Sequence, residues 1–296
     1  MLTPEQVANR KLYLGGSDSA AVLGLSRWKT PIRVWAEKVG AVEPDDLSDN
    51  FAVEMGNELE DTVARIFTKK TGKVVHRVNE PVKHKRYPFL CAQIDRRVVG
   101  ENVPLEIKTA NAWMAKSWEG EEVPKEYLCQ VMHQMAVTDA PYAYIACLIG
   151  GSSGFVWKRV DRDESIISEM VSREVDFWES NVLANVMPGP VKAEDSSVLY
   201  KLFPKEDEKP DIILGDDAVR LIESIKASQR DIIAMESVVD KEKNELKLML
   251  KEHSAGKAGN YRVTWRNQEK KEYTVKASKT RVFRIWDTST KGKKGE

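Results

Sequence analysis

The chain has 296 residues, 42% of them hydrophobic and 31% charged, with 46 basic side chains balanced by 46 acidic ones. That length supports one sizeable core with room for an appendage. No run approaches the ~18 apolar residues of a membrane span, and the opening Met1 to Gln6 has neither the basic nor the apolar region of a signal peptide, so a cytoplasmic protein without membrane contact is expected.

Cys91, Cys129 and Cys147 are odd in number, widely spaced and set among apolar residues, which points to reduced, buried thiols and excludes a four-cysteine zinc or iron–sulfur site. Zero net charge does not suggest a nucleic-acid binder until its distribution is read. Between Glu37 and Asp61 stand nine acidic residues against Lys38 alone, whereas residues 270–296 carry nine basic residues against three acidic ones. Such asymmetry suits phosphate attraction at one surface, although solvated charged faces explain each stretch equally well.

In chain order, a first helix is expected to end near Asn9 and Arg10. A glycine turn over 14–17 opens a short helix over 18–23, with Ser17 as its N-cap. Thr30 and Pro31 start a helix that stops at Gly40, and an acidic loop follows over 41–50. Residues 54–71 read as an amphipathic helix, with Met55, Leu59, Val63, Ile66 and Phe67 on one side and Gly72 as its stop. Strands are expected over 74–77, around 81–84, over 89–99 and over 105–109. Pro124 then opens a helix over about 125–137, strands over 142–149 and 155–160 flank a glycine–serine turn, and a long helix covers 163–183. This order predicts an α+β fold, with its core over 1–190. A polar linker over 191–215 leads to an accessory region over 216–296, comprising a long helix to about residue 253, a strand pair over 261–265 and 273–275, and a basic tail.

Chemistry concentrates in the third and fourth of these strands. A hairpin turning at 100–104 brings Asp95 beside Glu106, and residues two apart on a strand share a face, so Glu106 and Lys108 point the same way. Two carboxylates with an ammonium suit Mg²⁺ or Mn²⁺, which prefer hard oxygen ligands, and suit phosphodiester hydrolysis. Alone the pattern is weak, because a chain this charged yields a loosely spaced match roughly once by accident.

Five blocks supply context: Arg10-Lys-Leu-Tyr-Leu-Gly-Gly-Ser-Asp18 with Ala20 to Gly24, Met55 to Glu60, Gln93-Ile-Asp95, Leu105-Glu-Ile-Lys108, and Pro124 to Gln130. Together they resemble the phage-type YqaJ exonucleases, relatives of lambda exonuclease in the PD-(D/E)XK nuclease superfamily, over residues 8–182. Ile94 stands where the superfamily name has proline, a change that leaves the aspartate in place.

The resemblance implies a restriction-endonuclease-like core with a central mixed sheet flanked by helices. It implies that Asp95, Glu106 and the backbone carbonyl of Ile107 bind metal, that Glu60 helps hold a second ion, and that Lys108 and Gln130 are catalytic. It further implies that Arg10 and Ser17 bind a substrate 5′-phosphate. Tyr127 and Gln134 share the Gln130 helix face; Tyr127 reads equally well as core or cleft, and Gln134 as solvent-facing. His76, His84, His133 and His253 have no ligand spacing and are assigned no metal role.

The implied activity is Mg²⁺-dependent 5′–3′ digestion of linear double-stranded DNA, with two ions per site and Mn²⁺ as a substitute, leaving 3′ single strands for phage-type recombination. A single-strand annealing protein as partner, a homotrimeric ring and a phage or prophage origin in a bacterial cytoplasm go with it. Two alternatives stay open: a structure-specific or restriction-like endonuclease, and a DNA- or protein-binding module with a vestigial nuclease core. Nothing in the resemblance reaches beyond about residue 200.

Overall fold

The computed structural model describes residues 9–150, 154–205, 210–269 and 282–286, and the chain divides into two compact units, Met1–Pro204 and Lys205–Glu296. The helix expected before Arg10 lies almost wholly outside the described residues. A 3-10 turn, Arg10–Leu12, leads into β1 (Leu14–Gly15) and α1 (Gly16–Val22). Gly15, not Ser17, is the cap of α1. Gly15 has no side chain to offer, but Asp18 reaches back and its Oδ2 accepts the Gly15 N–H at 3.1 Å.

The other helix signals act as their chemistry dictates. In α2 (Pro31–Lys38) the Thr30 hydroxyl accepts the Arg33 N–H at 3.3 Å, with Pro31 in the first turn. Next, α3 (Phe51–Thr71) begins earlier than residue 54 because Asn50 Oδ1 accepts the N–H groups of Ala52 and Val53. It ends where Gly72 adopts φ 74°, the left-handed conformation that favours glycine. Val63 and Phe67 are fully buried on its apolar stripe.

The strand expected over 89–99 is in fact two strands in different sheets. β4 (Leu90–Ala92) pairs in parallel with β1 and antiparallel with β3 (Val82–Lys83). β5 (Arg96–Val98) joins a five-stranded sheet, in the order β2 (Val75–Arg77), β5, β6 (Pro104–Ala110), β7 (Tyr142–Ile149), β8 (Gly154–Asp161). Two apolar clusters force the break. Leu90, Ala92 and Ile94 pack with Leu14, Ile32 and Phe177, whereas Val98 packs with Leu105, Phe67 and Ile145.

Parallel pairing of β6 with β7, from Leu105 opposite Tyr144 to Ala110 opposite Ile149, requires a long crossover. A 3-10 segment, Ala112–Trp118, and α4 (Lys125–Thr138) provide it. The other pairings in this sheet are antiparallel, so the sheet is mixed, with β6 at its centre. Asp163 caps α5 (Glu164–Phe177), which continues as a π-helical turn over Trp178–Leu183.

The first part of the expected linker is folded. Asp195 Oδ2 accepts the N–H groups of Val191 and Lys192, and α6 (Asp195–Leu202) buries Val198 in the second cluster. The Ser/Glu/Lys-rich composition hid a short amphipathic helix. In the second unit, α7 (Asp216–Leu250) is followed by an antiparallel hairpin of β9 (Ala255–Ala258) and β10 (Tyr261–Thr264). The expected strand over 273–275 and most of the basic tail lie outside the described residues.

Candidate active site

β6 is the middle strand, paired with β7 from Leu105 to Ala110 and with β5 at Pro104 and Leu105, so the backbone that carries Glu106 and Lys108 is anchored along β7. Glu106 is buried at 2% exposure. A carboxylate without water must be satisfied by donors, and three converge on it. Gln130 Nε2 donates to Oε1 at 2.5 Å, Gln134 Nε2 donates to Oε2 at 2.5 Å, and Lys108 Nζ donates to Oε1.

Gln130 and Gln134 are one helical turn apart on α4, which explains how one helix face serves both oxygens. The solvent-facing reading of Gln134 is therefore wrong: it is 1% exposed, and its amide also donates to the Gln93 carbonyl at 3.3 Å. Position in a polar stripe looks the same from sequence whether the stripe meets water or a buried carboxylate.

Asp95 lies at the mouth of β5, beside the Arg96–Leu105 register pair, and its Oδ2 accepts the Ile107 N–H at 2.7 Å. Burial, reinforced by the negative charge of Glu106, holds the Asp95 carboxyl well above the ordinary carboxylate range, against the pull of Lys108. For Lys108, burial alone would strip the proton, but Glu106 and then Asp95 keep the ammonium charged. Its Nζ also sits 5.3 Å from the ring centroid of Tyr127, which stacks on Trp118 at 5.5 Å. Tyr127 is thus both a packing residue and a wall of the site.

Glu60 stands apart from the Asp95–Glu106 pair in its bonding. Its Oε1 accepts from Arg96 Nη1 and, at 3.5 Å, from Arg77, although its charge still raises the Asp95 carboxyl. Arg96, 3% exposed, also donates to the Asp95 carbonyl and to Asp61. This arginine was missed in the sequence, where Asp95-Arg96-Arg97 gives no sign of which guanidinium turns inward. Among the described residues no three His, Cys, Asp or Glu side chains converge as a ready cation cage. Asp95 and Glu106 nonetheless fit a divalent ion: both are hard oxygen donors, and the raised Asp95 carboxyl shows that Lys108 alone does not offset two ionised carboxylates here, a deficit that a bound cation would fill.

The second predicted pair is also brought together. Arg10 Nη2 donates to Ser17 Oγ at 3.1 Å in an exposed position. Behind it, Asp18 is buried against Lys38, whose Nζ donates to Asp18 Oδ2 at 2.7 Å and to the Arg10 carbonyl at 2.8 Å. Burial alone would raise the Asp18 carboxyl, but Lys38, with Lys29, holds it down at about 2.

The two sites share a wall. A β-carbon added to Gly16 would lie 3.1 Å from Gln130 Cγ and 3.3 Å from the Gln130 carbonyl oxygen, closer than side chains ordinarily approach. Beneath this contact His133 is fully buried, with Nδ1 2.9 Å from Glu174 and Nε2 2.9 Å from the Cys91 carbonyl. Both ring nitrogens face acceptors, which makes the ring an imidazolium. Burial would lower its affinity for the proton; Glu174 more than reverses that. Ser19 of α1 donates to the same Glu174.

A mixed sheet flanked by helices, with Glu106 and Lys108 on its central strand and Asp95 just ahead of the neighbouring strand, has the PD-(D/E)XK fold. The alkaline exonuclease of Laribacter hongkongensis has this fold, matching with a TM-score of 0.54 at 22% identity over 62% of this chain and 94% of its own; its complex with dAMP matches equally. Residues 6–141 match the YqaJ-like viral recombinase domain. The uncharacterized protein YqaJ of Bacillus subtilis (strain 168) is 35% identical over 271 residues, 90% of this chain and 84% of that protein, and the chain belongs to the YqaJ family.

Proposed function

We propose that this protein is a metal-dependent exonuclease that resects linear double-stranded DNA from 5′-phosphorylated ends and leaves 3′ single strands for recombination by strand annealing. The observation that carries the reading is the shared wall. Ser17 follows Gly16, Gly16 packs on Gln130, and Gln130 donates to Glu106. A terminal phosphate held by Arg10 and Ser17 would thereby sit next to the hydrolytic carboxylates, the placement that an end-dependent enzyme needs.

In this mechanism Asp95, Glu106 and the Ile107 carbonyl would hold Mg²⁺, or Mn²⁺ in its place, and Glu60 would help hold a second ion. The metal, when bound, lowers the pKa of a water and offsets the charge of the phosphate. Lys108, hydrogen-bonded to Glu106, would orient a water and stabilise negative charge developing on the scissile phosphate. Gln130 and Gln134 fix the Glu106 carboxylate by holding both its oxygens. Arg10 supplies a guanidinium to fork onto phosphate oxygens. A homotrimeric ring around the duplex and an annealing protein as partner complete the reading, and both come from family resemblance.

The test is digestion, with Mg²⁺, of linear duplex bearing a 5′-phosphate or a 5′-hydroxyl, beside closed circular plasmid. Selective loss of the phosphorylated linear duplex is expected, and it should vanish in Lys108→Ala. Nicking of the circle would replace the reading with an endonuclease.

A further inference from the structure

Lys83-His84-Lys85-Arg86 is a run of four consecutive basic residues that the proposed hydrolysis does not use. It enters the turn between β3 and β4, and its inner side borders a cavity of about 320 Å³. The opposite wall is Arg162 and the α5 hydroxyls of Ser168 and Ser172. Ala136 of α4 closes the floor, two residues beyond Gln134, so the cavity lies across α4 from Glu106. It is separate from the hydrolytic carboxylates.

Its polar groups are almost all donors. His84 Nδ1 accepts the backbone N–H groups of Arg86 at 3.1 Å and Tyr87 at 3.0 Å, which puts the ring proton on Nε2. The imidazole stacks on Tyr87 at 5.4 Å and is thereby held in place. Burial lowers its affinity for a further proton, and His133, Arg162 and Arg86 add to that against the opposing charge of Glu174. The ring is a neutral donor.

Arg86 lies over the Tyr87 ring at 5.1 Å and has no carboxylate partner among the described residues. Arg162 is anchored through Nη1 to the Met135 carbonyl at 2.8 Å. Its Nε donates to Glu164 at 2.6 Å, which neutralises the one acid of the lining. Lys85 reaches Asp139 at 3.6 Å. Donors and cations outnumber the single lining carboxylate, Glu164, which Arg162 engages, and such a concavity complements a polyoxygen anion. The volume is at the small end of the ~300–1,000 Å³ range of ligand sites, enough for a phosphate with its sugar but not for a duplex.

We propose that the cavity between the 83–86 turn and α5 is a phosphate seat, remote from the reaction centre, that takes either a backbone phosphate of a single strand or a deoxynucleoside monophosphate. It does not depend on the proposed hydrolysis, and its test works without metal. Ring resonances of the four histidines of the full-length protein are followed in EDTA, with His84→Gln identifying the relevant signal. Inorganic phosphate, a deoxynucleoside 5′-monophosphate and a single-stranded oligonucleotide without terminal phosphates are added in turn.

Saturable movement of the His84 signal with phosphate is expected, and Arg86→Gln, an exposed change that leaves the melting curve in place, should weaken it about tenfold, the loss of one charge-assisted bond. Movement with the oligonucleotide assigns the seat to a DNA strand; movement with the mononucleotide alone assigns it to a small molecule. No response to any of the three, the same response to chloride at equal ionic strength, or full affinity in Arg86→Gln would overturn the proposal.

Discussion

Gly16 illustrates how much can depend on an absent side chain. The methyl group of Gly16→Ala would press on Gln130 from 3.1 Å, and through Gln130 on Glu106. The variant is expected to fold and to keep its KM for 5′-phosphorylated ends while kcat falls about 10- to 100-fold, the penalty of a displaced reacting group. Steady-state digestion of end-labelled duplex measures the split. Gln134→Leu removes one of the three donors to Glu106 and should cost about 1–3 kcal/mol in urea unfolding. Asp95, Glu106 and Lys108 were legible as a group because strand alternation is a local rule, Gln130 was added by the family resemblance, and the structure brings the four together. Gln134 and Arg96 were not legible, since their burial depends on what packs opposite.

At the level of elements, two ion pairs lie against α1, Asp18 with Lys38 of α2 and His133 of α4 with Glu174 of α5, and they respond oppositely to pH. Asp18, held at about 2 against an ordinary 3.8, binds its proton more readily when unfolded; its contribution is full above the unfolded value and is lost as pH falls through 3.8 toward 2. His133 is raised in the fold, so its contribution is full below its ordinary 6.5 and is lost as pH rises through its folded value. Urea midpoints measured across pH should therefore fall at both ends. Lys38→Met should flatten the acid limb, and His133→Asn should flatten the alkaline one. Most helix boundaries were readable from caps and glycine stops. The break in residues 89–99 was not, because apolar alternation runs through Ile94 while the two halves belong to different apolar clusters.

At the scale of the molecule, the boundary between units decides where the chain can be cut. A truncation near residue 195 would remove α6, whose Val198 is 3% exposed, and would damage the first unit. Ending the chain after Pro204 keeps that helix, and the shortened protein is expected to retain hydrolysis of linear DNA. Loss of all cleavage with an unchanged circular dichroism spectrum would move the activity to the second unit. The proposed ring is tested by light scattering, which should report three times the chain mass.

The difference in anchoring between β6 and the Arg10–Ser17 pair has a consequence for failure under stress. Glu106 and Lys108 ride on a strand paired with β7 from Leu105 to Ala110, and Glu106 is also held by two glutamines of α4, so they leave their positions only when the sheet opens, whereas one exposed hydrogen bond near a 3-10 turn can open alone. On the proposed function, rising urea should first make the protein indiscriminate, its preference for phosphorylated over unphosphorylated ends falling toward unity, and only later silence it. Fidelity to the DNA end would then be the fragile property, and bond cleavage the durable one.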